Sequence, residues 1–308
     1  MIRLVACVPN FSEGRRVEVV EAIAGEVRRV PGVALLDVSW DPSHNRCVLT
    51  FVGEPEAVKQ AALAASAKAV DLINMEEHRG VHPRIGAVDV IPFVPLAGVT
   101  MDDCVALAQD LGRELWEKLG LPVYLYAEAA QRPERRRLPE IRRGEYEGLK
   151  EAISRPERWP DIGEPRLHPT AGATAVGARK PLIAFNVYLR TGDVEVARSI
   201  ARAVRESSGG LVNVQARGVP IEHRGMVQVT MNLLDHVRTP LPRVFEMVRM
   251  EAARYGTEVV ESEVVGLVPL DALVEVARHY LRLHRFSREK VLEARLLELQ
   301  GLQLVRWE

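Results

Sequence analysis

The chain has 308 residues, 47% of them hydrophobic and 27% charged, which excludes a disordered polymer and leaves room for one large domain or two modules. Its 41 basic and 42 acidic residues nearly cancel, so the overall charge calls for neither nucleic acid nor an anionic membrane as partner. Cys7, Cys47 and Cys104 are widely separated among apolar residues, the usage of small core residues in a reducing compartment, and no apolar run is long enough for a signal peptide or a membrane span; the expectation is a cytoplasmic protein.

In chain order, residues 2–8 form a short apolar strand, and 9–14 (PNFSEG) follow as a turn in which Ser12 is expected to cap a helix. Apolar residues at three- and four-residue steps predict that helix over 16–30, closed by Pro31 and Gly32. Strands at 33–38 and 46–52 flank SWDPSHN, a turn-forming stretch, and so form a hairpin. An Ala-rich helix over 54–73, a Gly-rich break and a strand over 87–94 complete a βαββαβ order. A helix over 101–119, a strand within LPVYLYAEA and a helix over 145–153 form an inserted layer, and the arginine-rich run between them is expected to be a solvated face. From Pro181 the order βαββαβ returns, with strands near 181–189, 211–215, 226–233 and 258–265 and helices over 194–204 and 242–255; two helices, 271–283 and 288–299, end the chain.

The fold class is therefore α+β, with two ferredoxin-like βαββαβ subdomains in tandem, residues 1–178 and 179–308, and an inserted helical and strand layer. Tracing strand directions in such a unit brings loops 9–14, 39–45 and 78–86 to one end of the first sheet, where Asn10, Glu13, Asp41, His44, Asn45, Arg46, His78, His82 and Arg84 converge. In the second unit the same end carries Arg217, Glu222, His223 and Arg224.

The stretch HRGVHPRIGAVDVIPFVP, residues 78–95, is the densest in chemistry. Its HRGVH spacing does not make a metal site, because Gly80 and Pro83 oppose a helix and Arg79 stands where a glutamate is needed. A neutral imidazole here suits proton transfer near pH 7; a structural histidine bonded to backbone is the alternative. The segment 161–180 ends in a Gly-rich run that departs from a phosphate loop, since Ala178 and Arg179 replace the required Lys and Ser or Thr. It is read as a linker or as a loop whose backbone approaches a flat ligand.

Taken together, CVPNFSEGR, LLDV with Asn45 and Arg46 downstream, TFVGEPE, HRGVHPRIGAVDVIPF, GLPVYLYAEAA, RRGEYEGL, PDIGE, GATAVGARKPLIAFNVYL and VGLVPLDAL resemble the glutamate formimidoyltransferase family, known in animals as the first part of formimidoyltransferase-cyclodeaminase. The resemblance implies transfer of the formimidoyl group from N-formimidoylglutamate to tetrahydrofolate, giving 5-formimidoyltetrahydrofolate and glutamate in histidine degradation. It implies no metal, tetrahydrofolate as co-substrate in a groove between two ferredoxin-like subdomains, and a homodimer.

Carried onto this chain, the family's catalytic histidine is His82, before Pro83, acting as general acid and base. Animal members carry an acid where Ser39 stands here, so Asp41 is the first choice of partner, ahead of Asp37 and Glu13. Asn45, Arg46, Arg84 and Arg179 are expected to bind the glutamate moiety, with Arg224 a further candidate for its carboxylates. The family's folate segment falls on Gly163, Glu164, Pro165, Arg166, Leu167, His168, Pro169, Thr170, Ala171 and Gly172, with Thr174 close behind. Two rival readings are formyl transfer between glutamate and 5-formyltetrahydrofolate in the same cleft, and a folate-binding module without catalysis.

Overall fold

The computed structural model describes residues 2–221, 224–302 and 304–307. Two compact units meet in the sequence at Arg179 and Lys180; the molecule is mixed α and β, with one sheet in each unit.

The first unit runs β1 (Leu4–Cys7), β2 (Asn10–Phe11), α1 (Val17–Arg28), β3 (Val33–Asp41), β4 (Arg46–Gly53), α2 (Pro55–Leu72), β5 (Val88–Ala97), α3 (Met101–Leu119), β6 (Val123–Ala127), α4 (Leu138–Ile141), α5 (Glu145–Ala152) and β7 (Thr174–Ala178). Across the sheet β3 pairs with β4, β4 with β1 and β2, and these with β5, all antiparallel; β7 and β6 extend it in parallel. Val19, Val20, Ile23, Ala24 and Val27 turn one face of α1 inward, while Ala61, Ala62, Ala65 and Ala69 on α2 leave so little side chain that the helices lie close. Phe11, Phe51 and Phe93, from three neighbouring strands, fill the core beneath with no exposed surface; burying each contributes about 1.5–3 kcal/mol. Thr100 and Asp103 close a reciprocal cap on α3.

Several local expectations differ, among them a strand expected at 211–215 that runs over Val214–Ile221. Ser12 does not cap α1: its hydroxyl donates to Gly86 O at 2.7 Å, and the carboxylate of Glu13 collects the N–H groups of Gly14, Arg15 and Arg16 instead. Residues 10–11 pair as a short strand rather than a turn. The Gly-rich end of 161–180 contains β7, which lies buried between β5 and β6. Its small residues carry little hydrophobic signal, and Gly177 is required because a Cβ there would stand 2.4 Å from Tyr126 O.

The second unit runs β8 (Ile183–Leu189), α6 (Val194–Val204), β9 (Val214–Ile221), β10 (Met226–Leu233), α7 (Leu241–Arg254), β11 (Val259–Val265), α8 (Leu270–Leu281) and α9 (Leu292–Leu299). Its sheet order is β11-β8-β10-β9, antiparallel throughout. Val187, Val227, Val229 and Leu233 pack under Ile200, Val204, Val244 and Val248. Gly218 lets α6 approach β9, where any Cβ would meet Arg198 N at 2.3 Å. No helix among the described residues is long and apolar enough to cross a membrane.

Candidate active site

Three loops of the first unit meet, and Asn45 at the end of the β3–β4 turn ties them together. It is buried, in the left-handed region at φ 48°. Its Oδ1 accepts from Gly14 N at 3.0 Å and its Nδ2 donates to Arg79 O at 2.9 Å, so one side chain joins the loop after β2 to the loop before β5. Asparagine tolerates this backbone conformation better than most residues. Gly14 and Gly80 permit the approach: a Cβ on either would come within 2.4 Å of a carbonyl oxygen of the turn, Asp41 O or His44 O.

His78 and His82, four residues apart in sequence, have different surroundings. His78 is buried; its Nδ1 accepts from Arg84 Nε at 3.2 Å, which leaves the proton on Nε2 to donate to Asn45 O at 3.0 Å. Arg84 is itself buried and held by Glu145 and Glu147 of α5 at 2.5 and 2.6 Å. Burial presses the His78 pKa down, the Arg84 charge adds to this, and the bond to Asn45 opposes it. Burial lowers that of His168 as well. A histidine pKa depressed by folding contributes stability above its unfolded value, about 6.5, and that stability is lost as pH falls toward the folded value. The melting temperature is therefore expected to hold above pH 7 and decline from about pH 6.5 toward pH 5, with a shallower decline in His78→Gln, as followed by circular dichroism.

His82 is half-buried, and Arg46 Nη1 lies 2.8 Å from its Nε2. A guanidinium only donates, so Nε2 accepts and the imidazole is neutral with its proton on Nδ1. Burial and the like charge of Arg142 lower the pKa of Arg46, with Asp89 and Asp41 opposing. Asp41 faces His44: Oδ1 accepts from the N–H groups of Ser43 and His44 at 2.7 and 2.8 Å, and Oδ2 lies 3.2 Å from His44 Nδ1. Burial raises the Asp41 pKa, but these bonds and the His44 charge outweigh it and hold the carboxyl below its usual range. The ring centroids of His44 and His82 are 6.2 Å apart.

Glu13, Asp37 and the Ser39 position have other surroundings. Glu13 is bound to Arg16, Ser39 sits on β3 opposite Val48, and Asp37 Oδ2 is buried without a hydrogen-bond partner. Arg179 stands at the end of β7, its N–H on Phe93 O at 3.0 Å, against buried Tyr126. In the second unit Arg224 pairs with Glu261 and stacks over Tyr188 at 5.0 Å; Glu222 and His223 lie outside the described residues. Among the described residues no group of three His, Cys, Asp or Glu side chains is placed to hold a metal ion.

The segment from Gly163 to Thr174 folds back on itself. Gly163 at φ 99° and Gly172 at φ 74° take turns closed to other residues, each also pressed against a neighbour, Trp116 and Ile85 O respectively. His168 and Gly172 exchange backbone bonds, and His168 Nδ1 accepts from Ala171 N at 3.0 Å. Met75 N donates to Thr170 O, which fastens the segment to the end of α2. Glu164 pairs with Arg166 at the surface, and Thr174 is wholly buried in β7. Pro165, Arg166, Leu167, His168 and Pro169 form one wall of a cavity of about 320 Å³, faced by Glu76, Tyr146, Lys150 and Ile153. Helix α5 serves both places, with Glu145 and Glu147 holding Arg84 and Tyr146 and Lys150 lining the cavity.

Sequence reasoning missed two ion pairs that support this arrangement. In the arginine-rich run, Arg142 pairs with buried Asp89, and Arg135 pairs with Asp161 while stacking over Tyr124 at 5.0 Å. Runs of arginine read as solvated because their partners lie far away in sequence.

The N-terminal subdomain profile of the formiminotransferase domain matches residues 4–179, and the formiminotransferase domain profile matches 184–303. The chain is 50% identical over 303 residues to glutamate formimidoyltransferase of Thermoplasma acidophilum, covering 97% of this chain and 99% of that one. Identity to glutamate formimidoyltransferase of Streptococcus pyogenes serotype M1 is 43% over 298 residues, covering 96% and 100%. Formimidoyltransferase-cyclodeaminase of Rattus norvegicus is 49% identical over 286 residues, which span 91% of this chain and 53% of that protein. With matches running through the loop cluster, the cavity and the second sheet alike, the chain belongs to the formiminotransferase family.

Proposed function

We infer that the protein transfers the formimidoyl group from N-formimidoyl-L-glutamate to tetrahydrofolate, giving 5-formimidoyltetrahydrofolate and glutamate in histidine degradation. The observation that carries this reading is the 50% identity to a glutamate formimidoyltransferase over almost the whole of both chains. In this reading His82 is the general base and then the general acid. Arg46 holds it in the neutral form, and when a glutamate carboxylate draws the guanidinium away, Nε2 accepts the proton of the attacking pterin nitrogen. Arg46 and Asn45 then serve the glutamate moiety, Arg84 acts through the loop that it anchors, and Arg179 at the end of β7, beside Tyr126, is a further candidate for a carboxylate. The formimidoyl group is an amidine, cationic near neutral pH, and the Asp41 carboxylate steadies its charge.

Tetrahydrofolate is the co-substrate, and its flat ring is taken by the segment 163–172, whose wall on the cavity combines Pro165, Leu167 and Pro169 with polar neighbours, while Thr174 supports the segment from β7. The chemistry needs no metal. We further read the sheet orders as two ferredoxin-like subdomains, divided near residue 178, and the protein as a cytoplasmic homodimer; free, buried Cys7, Cys47 and Cys104 suit a reducing compartment.

The test is to supply the purified protein with tetrahydrofolate and either formimidoylglutamate or formylglutamate. The expected result is turnover with the first donor and little with the second. Faster transfer from formylglutamate would replace the reading with formyl transfer, and folate binding without any transfer would leave only a binding module.

A further inference from the structure

Formimidoyl transfer moves one proton off the attacking nitrogen and one onto the departing nitrogen, and the loop cluster holds two imidazoles rather than one. His44 and His82 come from different loops, have ring centroids 6.2 Å apart with planes tilted at 59°, and both reach solvent. Their charged neighbours are of opposite sign. Arg46 offers His82 a cation at 2.8 Å. Asp41 offers His44 a carboxylate at 3.2 Å, and the same carboxylate is fixed by two backbone N–H groups at 2.7 and 2.8 Å, so it cannot swing away without unmaking the turn. Two cations are also brought to this turn: Arg15, whose Nε donates to Pro42 O at 2.9 Å, and Arg46 itself, which lies opposite Asp41 across the hairpin and feels its charge. Where two titratable groups in one site are set in opposite electrostatic surroundings, one is suited to take a proton and the other to give one.

We propose that His44, oriented by Asp41, is the general acid of the transfer: it protonates the departing glutamate nitrogen while His82 takes the proton from the attacking pterin nitrogen. This rests on the transferase reading and divides between two residues a task that one histidine would otherwise perform in succession. The pterin nitrogen forms its bond to the formimidoyl carbon and loses its proton to His82. The bond from that carbon to the glutamate nitrogen then breaks, its electron pair taking the proton of His44 to give the free amine. Solvent restores a proton to His44 and removes one from His82, so the cycle closes without another reactant. Toward His44, Asp41 acts as a positioning residue. It directs the His44 ring through Nδ1, which leaves Nε2 to face the departing nitrogen, and it balances the imidazolium charge.

The experiment compares the pH dependence of kcat in the unmutated protein, His44→Gln and Asp41→Asn, with formimidoylglutamate and tetrahydrofolate. The unmutated protein is expected to give a bell, its acid limb set by the group that must take a proton and its alkaline limb by the group that must give one. In His44→Gln the alkaline limb disappears and kcat falls about 100-fold, the lower end of the range for one acid–base group, while the Kd for tetrahydrofolate changes by less than about threefold. Asp41→Asn keeps an oxygen for the turn's N–H groups but removes the charge, so its alkaline limb moves to lower pH. Imidazole in the buffer restores part of the lost rate in His44→Ala. A His44→Gln protein that retains the alkaline limb and its kcat overturns the proposal, as does one that changes only in KM or melting temperature. An unmutated protein that transfers nothing overturns the transferase reading itself, so the two failures are distinguishable.

Discussion

Replacing His82 by alanine is expected to lower kcat for formimidoyl transfer by about 10²–10⁴-fold with little change in stability. The neutral imidazole is half-buried and its Nε2 is bonded to Arg46, so its loss removes the base without opening the core. Truncation also releases the Arg46 guanidinium, which remains available to a glutamate carboxylate, and the KM for formimidoylglutamate should therefore rise less than kcat falls. The sister substitution His78→Gln separates chemistry from architecture. His78 is buried between Arg84 and Asn45 O, so its loss should lower the melting temperature and affect turnover only through the loop. Steady-state kinetics paired with melting curves on both variants checks the assignment; full turnover in His82→Ala would show that the proton is handled elsewhere.

Elements with a clean helical period were legible. The helix expected over 101–119 is α3 (Met101–Leu119), and that expected over 194–204 is α6 (Val194–Val204), because apolar side chains at three- and four-residue steps leave one arrangement that buries them. The meeting of loops 9–14, 39–45 and 78–86 was also legible, since strand direction alone decides which loops share an end. What could not be read is where individual side chains point. Asp41 turns to His44 because a turn aspartate two residues before a free N–H closes on its own backbone. Arg84 was a candidate for a substrate carboxylate on charge alone, yet it is claimed by Glu145 and Glu147, some sixty residues later at 2.5 and 2.6 Å. Strand β7 escaped notice because alanine, glycine and threonine carry no strong period, and its place is set by Val90, Ile91 and Phe93 on one side and Tyr124 and Tyr126 on the other.

Arg142→Leu is expected to be among the most destabilising substitutions in the first unit, at about 3–5 kcal/mol. Asp89 is 1% exposed, and the Arg142 guanidinium is its charged partner. Removing that partner leaves a buried carboxylate without its ion pair, a larger loss than the pair contributes when intact. Asp89 also accepts from Ile85 N at 3.0 Å, so the pair links α4 to the end of the loop that carries His82. The melting temperature should fall by roughly 6–20 °C for a unit of this size, and kcat should fall with it as the loop loses its anchor. Asp89→Asn keeps an acceptor for Ile85 and removes the charge, so combining it with Arg142→Leu should recover much of the lost stability. If the double variant is no more stable than Arg142→Leu alone, the damage arises from packing of the Arg142 side chain and not from the stranded charge. Recovery of kcat in the double variant would further show that the bond from Ile85 N to residue 89, and not the ion pair's charge, keeps the His82 loop in place.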